Sequence, residues 1–235
     1  MKAWEIGAKT QWLDDRLQLN ATLFTTDYED KQEDVVFPDP VAVTLTVVQN
    51  AASASLDGAE FEFTAIPVDG LTLSGSVGIL DASFDEWLIT DINGNALDQS
   101  NFELRRAPEL TYGLNLLWEH ELGNGDFFVF TTNYSWRDDY WVIARTNNTQ
   151  LGQPGLNDSY GLLDMSVSYE TERWRASLFG KNLTDSDYFQ HVLDVAANEV
   201  ATSATDSTPV YVPGLWTFGS MNAPRHWGLE IDFKF

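Results

Sequence analysis

The chain has no cysteine, only 13 lysines and arginines against 36 acidic residues, and three histidines. Without cysteine there can be no disulfide, no thiolate metal site and no cysteine nucleophile. A net charge of -23 excludes nucleic acid as a partner, because phosphate backbones are held by clusters of Lys and Arg. No apolar run reaches the length of a transmembrane helix. None of these absences excludes a membrane, since a barrel meets lipid with neutral side chains and can keep its acids in loops and lumen.

What is there is alternation. In the last eleven residues, Trp227, Leu229, Ile231, Phe233 and Phe235 share one parity, and His226, Gly228, Glu230, Asp232 and Lys234 the other. That is a strand with one apolar and one wet face. A terminal strand usually frays, so five apolar side chains on one face suit a barrel wall in lipid better than a soluble sandwich.

The same pattern predicts nine strands: residues 3–12, 16–28, one ending in 60–65, 71–79, 110–118, 128–136, 163–169, 174–183 and 225–235. Trp4, Ile6, Leu17, Leu19, Leu73, Val77, Leu114, Leu116, Phe130, Met165, Val167, Leu229, Ile231 and Phe233 are expected to face outward. Lys9, Asn20, Asn115, Asp164, Ser166, Glu230 and Asp232 are expected to line the other side. No helix of useful length is suggested. Connections alternate short and long, the long ones covering about 29–46, 85–106, 142–159 and 184–224. Outer-membrane barrels have this asymmetry, with tight periplasmic turns and long extracellular loops, which puts the C-terminus on the periplasmic side. Trp4 and Trp12, Phe128 and Trp136, and Trp227 and Phe235 are each eight residues apart. At a tilt of about 40° that spans roughly 20 Å, close to the apolar band between two aromatic girdles. Met1-Lys2-Ala3-Trp4-Glu5-Ile6 runs straight into a strand with no signal-peptide pattern, as expected of a mature form or a fragment.

At these residues the chain resembles a family. The terminal Ala223-Pro224-Arg225-His226-Trp227-Gly228-Leu229-Glu230-Ile231-Asp232-Phe233-Lys234-Phe235 looks like the closing strand of TonB-dependent outer-membrane receptors. Gly180-Lys181-Asn182-Leu183-Thr184-Asp185, followed by Tyr188, looks like their penultimate-strand signature. Trp4-Glu5-Ile6-Gly7-Ala8-Lys9 and Asp57-Gly58-Ala59-Glu60 are similar to the family as well. The resemblance implies an all-β, antiparallel transmembrane barrel, with residues 1–235 forming about nine C-terminal strands of a barrel of about 22 strands, its plug domain absent here.

It further implies a Gram-negative outer-membrane location and energised uptake of a scarce ligand such as a ferric siderophore or another iron complex. The implied partners are outer-membrane lipid, the barrel-assembly machinery and, through the missing plug, a TonB-type energy-coupling protein. No cofactor and no catalysis are implied. Aromatic and basic residues in or beside the long connections are the ligand candidates: Trp87, Tyr140, Trp141, Arg145, Phe189, Tyr211, Trp216 and Phe218. Ile231, Phe233 and Phe235 are expected to form the barrel-assembly signal, because an exposed terminal strand can be captured by strand pairing.

Other readings stay open at this point. A small self-contained outer-membrane barrel could act as a passive channel, anchor or hydrolase, and a soluble β-domain could expose an interaction surface. His191 with Asp194 is a thin acid/base candidate. Asp91, Asn93, Gly94, Asn95 and Asp98 only faintly resemble a calcium loop, with glycine at the wrong position and no closing Glu.

Overall fold

The computed structural model describes residues 1–39, 43–90, 96–143, 155–195, 198–203, 206–212 and 216–234, with no side chains described at 34–47, 49, 51, 89–97, 194–217. Its strands in chain order are β1 (Lys2–Trp12), β2 (Leu17–Asp39), β3 (Val43–Val68), β4 (Leu71–Thr90), β5 (Ala96–Asp98), β6 (Leu110–Glu121), β7 (Phe127–Arg137) and β8 (Tyr140–Trp141). There follow β9 (Leu156–Asn157), β10 (Tyr160–Glu170), β11 (Trp174–Lys181), β12 (Phe189–Val195), β13 (Asn198–Ser203), β14 (Asp206–Val212), β15 (Trp216–Met221) and β16 (His226–Phe233). Nine of them form one antiparallel meander in the order β1-β2-β3-β4-β6-β7-β10-β11-β16. Among the described residues β1 and β16 do not pair with each other, so this path is an open sheet.

Register decides what the sheet can do, because slipping one residue would turn every side chain of a strand over. Here the apolar parity is in phase across the whole path. Ile6 faces Leu23, which faces Ala59, then Ile79 and Leu110. Nearer the short turns, Trp118 faces Phe130, followed by Val167, Leu178 and Leu229. The opposite face is equally continuous: Gln18, Thr64, Ser74, Asn115, Asn133 and Asp164 lie side by side. All fourteen residues expected to face outward lie on the first face, and all seven expected to face inward lie on the second.

The apolar face is uncovered. Trp4 is 77% and Trp227 78% exposed, and Ile6, Leu23, Ile79, Leu178, Leu229 and Phe233 are exposed beside them. A continuous patch of this kind far exceeds what a soluble monomer leaves bare, and it suits lipid. Aromatic rings gather at both borders. Tyr112 stacks on Trp136 at 5.1 Å toward the long connections, while Trp118 packs edge-on to Phe128 at 5.9 Å and Tyr169 meets Trp174 at 5.5 Å toward the short turns. Within the wall, Gly58 and Gly228 lie under the rings of Phe24 and Phe179, where a Cβ would collide.

The connections differ from the sequence expectation. The stretch 29–46, expected as a polar loop, is mostly strand: β2 continues to Asp39 and pairs with β3 from Val43 onward. β4 likewise continues to Thr90 through part of the expected loop, and β5 returns along it. With 23, 26 and 20 residues, β2, β3 and β4 are about twice the roughly 10 that cross a bilayer, so their outer halves stand clear of the band. The strand expected over 174–183 is β11, which ends at Lys181, and the expected 184–224 loop contains two hairpins, β12–β15 and β13–β14. The short ends are tight; Leu13, Asp14 and Asp15 all take left-handed φ to turn β1 into β2.

Candidate functional site

Two surfaces can meet a ligand: the polar face of the sheet, and the end where the long connections emerge. On the polar face a ladder of short uncharged side chains bonds across strands. Asn133 donates its amide to Asn115, Thr131 and Ser166 share a 2.6 Å hydroxyl contact, and buried Ser168 donates to Ser177 at 2.9 Å. Lys181 Nζ reaches Asp164 Oδ2 at 2.9 Å, and the Asn182 backbone N–H donates to Asp164 Oδ1 at 2.9 Å. A groove lined by Thr72, Ser74, Asn115, Thr131, Asn133, Asp164, Ser166 and Lys181 runs over this ladder. Such a wall offers donors and acceptors for hydrogen bonds.

Above the band the same face inverts from polar to apolar. At this level β2 bulges around Asp30, which has a left-handed φ of 57°, and β4 bulges around Asp85, whose carboxylate accepts from Ser55 Oγ at 2.8 Å. A bulge re-aims the strand beyond it. Ala52, Ala54, Phe84 and Trp87 then form a buried cluster, covered by Phe102 and Leu104 from the connection between β4 and β6. Trp87 packs against Phe84 at 4.7 Å and edge-on to Phe102 at 5.2 Å. Beside it the Glu33 carboxylate, only 3% exposed, is bridged by Lys31 and by Arg105 Nη2 at 2.9 Å. Burial, with Arg105 nearby as a second cause, holds the Lys31 ammonium below its usual pKa.

A second cluster joins the last two long connections. Tyr140, Val142 and Tyr160 are buried together, with Tyr188 stacked on Tyr160 at 4.3 Å. Asn157 imitates a strand: its Nδ2 donates to Phe189 O at 3.0 Å and its Oδ1 accepts from Phe189 N at 2.8 Å. Below them Asn182 fastens the root of the longest connection. Buried and left-handed, it donates to Ser186 O at 2.9 Å and Ala223 O at 3.1 Å, and accepts from Ser186 N at 3.0 Å. Thr184 and Ser186 both donate to Gly161 O, at 2.6 and 2.7 Å. The Gly180–Asp185 motif is thus a structural clasp.

The sequence-derived ligand candidates separate by place. Trp87 and Trp141, 3% and 4% exposed, and buried Tyr140 brace the rim from within. Phe189 is half-buried against the tyrosine cluster, and Phe218 is exposed opposite Leu193 in the β12–β15 hairpin. Tyr211 and Trp216 lie on β14 and β15 with side chains outside the described set; Arg145, Phe235 and the acidic stretch from Asp91 to Asn95 lie outside the described residues. His191 faces Arg106 at 3.2 Å, and the side chain of Asp194 is outside the described set. Among the described residues no group of His, Asp and Glu gathers as a metal site. Sequence reading missed Glu33, Arg105, Asn157 and the clasp role of Asn182, because each acts on residues far away in the chain. Only the Gly180–Asp185 motif carried a signal.

Comparison with known proteins decides the family. The model of the TonB dependent receptor-like β-barrel matches residues 1–183. The chain belongs to the TonB-dependent receptor β-barrel family. Solved receptors share its fold: the ferric yersiniabactin uptake receptor of Yersinia pestis has a TM-score of 0.69 at 17% identity over 99% of this chain and 30% of its own. A siderophore receptor of Acinetobacter baumannii has a TM-score of 0.66 at 19% identity over 99% of this chain and 28% of its own. The pyoverdine receptor of Pseudomonas aeruginosa bound to pyoverdine has 0.62 at 17% identity over 99% and 29%. The chain therefore spans about 30% of the length of the receptors it matches.

Within this TonB-dependent receptor barrel the clasp yields a prediction. Asn182→Ala removes the four hydrogen bonds of a buried amide, to Ser186 O, Ala223 O, Ser186 N and Thr184 Oγ1, and should destabilise the folded barrel by about 2 to 4 kcal/mol. Asn182→Gly suits the left-handed backbone and should recover about 1 kcal/mol of that. Urea unfolding of the reconstituted receptor, followed by Trp fluorescence, measures both.

Proposed function

We propose that residues 1–235 form the C-terminal wall of a larger TonB-dependent receptor that imports a ferric siderophore or a similar scarce iron complex across the outer membrane. The carrying observation is the apolar face held in register over nine strands and backed by a hydrogen-bonding polar face, in a chain of this family. The similar solved receptors, one for uptake of ferric yersiniabactin and one a siderophore receptor, support the ligand class. On this reading the apolar face meets outer-membrane lipid, the long connections face outside, and the short turns with the C-terminus face the periplasm. Energy reaches the receptor from a TonB-type coupling protein through a plug carried elsewhere in the receptor.

The chain binds and passes its ligand and makes no bonds. Phe189, Phe218, Arg145, Tyr211 and Trp216 are assigned direct ligand contact, and the buried Trp87, Tyr140 and Trp141 a supporting role in the rim. Aromatic faces and guanidinium groups suit an anionic, ring-bearing chelate.

Uptake is measured with radioactive iron, presented as catecholate, hydroxamate and phenolate chelates to cells with and without the whole receptor. At least one chelate should enter only with the receptor, and entry should cease when the proton-motive force is collapsed. Receptor-independent entry of all three, or entry that survives uncoupling, contradicts the proposal.

Ile231, Phe233 and Phe235 are assigned the assembly signal. β16 offers its alternating apolar residues along an edge whose only partner among the described strands is β11. Deleting Phe235 should slow the appearance of heat-modifiable, protease-resistant receptor in a pulse-chase far more than deleting Asp206. Equal kinetics would remove the signal role while leaving the barrel untouched.

A further inference from the structure

The four long connections leave the sheet separately, yet two adjacent residues touch all of them. Arg105 and Arg106 lie in the connection between β4 and β6. Arg105 Nη2 reaches the buried Glu33 carboxylate of the β2–β3 hairpin at 2.9 Å. The backbone N–H of Arg106 donates to Trp141 O, in the connection between β7 and β10, at 2.7 Å. Its guanidinium donates to Gln190 O of the β12 hairpin at 2.9 Å and lies 3.2 Å from His191 Nδ1.

Arg106 holds this position with a φ of 58°, in the left-handed region that a residue with a Cβ rarely adopts. Such a conformation persists only where the surroundings over-determine it. The surroundings here are three hydrogen-bonding partners from two other connections. Glu33 imposes a matching demand, since a carboxylate taken out of water requires its cations. A guanidinium is suited to both tasks, because its fixed fork of donors serves a carboxylate or a pair of acceptors.

We propose that Arg105 and Arg106 are positioning residues that lock the four long connections into a single surface. Arg105 ties in the β2–β3 hairpin through its side chain. Arg106 ties in the Trp141 segment through its backbone and the β12 hairpin through its side chain. The inference rests on the receptor reading only in making that surface the ligand face.

The test is amide hydrogen exchange, read by mass spectrometry on the whole receptor in detergent, without ligand or energy source. Arg106→Gly keeps the left-handed backbone and loses the guanidinium. It should speed exchange in residues 188–193 by about tenfold or more and leave residues 141–142 at the wild-type rate. Arg106→Ala strains the backbone too and should release both segments. Arg105→Ala should release only residues 31–33 with their β3 partners, and Arg105→Lys, which restores a cation to Glu33, should return them to the wild-type rate. Arg105→Lys and Arg106→Gly keep the question answerable if an alanine variant fails to fold. Identical profiles for Arg106→Gly and Arg106→Ala, wild-type exchange in every distant segment, or failure of Arg105→Lys to rescue would overturn the proposal. None of these readings depends on uptake, so a failed lock and a failed transport assignment are told apart.

Discussion

Everything in this structure depends on pairing backbone groups sideways while keeping one side-chain parity dry. In hydrocarbon an unpaired N–H or C=O has no water to turn to, so a spanning strand must be bonded to neighbours along its whole length. The nine-strand meander meets that demand within its interior, and its register brings Ile6, Leu23, Ala59, Ile79 and Leu110 to one face without a slip. Chemistry on the polar face follows from the same rule: alternate residues are relieved of contact with lipid, and the Asn115, Asn133, Asp164 and Lys181 ladder occupies them.

Where the strands leave the band, the constraint lapses and a different organisation begins. Bulges near Asp30 and Asp85 mark the level, and around them the polar face turns apolar at Phe84 and Trp87. Loops that would otherwise be independent are packed on aromatic clusters and fastened by amides and guanidinium groups. Side chains carried on such a braced rim have rigid support beneath them.

This division also explains what was legible in the sequence. Strand parity was, because a period of two over eight or more residues leaves a trace in every spanning strand, from Trp4 and Ile6 to Leu229 and Ile231. The outer half of β2 was not, because its acids and Pro38 resemble a loop. Nor could composition separate a buried Trp87 from an exposed Phe218, since that depends on which connection folds over which. Asn182 was recognised as part of a motif, but its work is done on Ser186 and Ala223, the latter 41 residues away.

The central claim is that one parity of the wall faces lipid. Nitroxide labels placed singly at residues 163 to 167 of the whole receptor in liposomes measure it directly, through collision with membrane-dissolved oxygen. Oxygen contact should be high at Leu163, Met165 and Val167 and low at Asp164 and Ser166. A flat profile, or maxima at Asp164 and Ser166, would contradict the account.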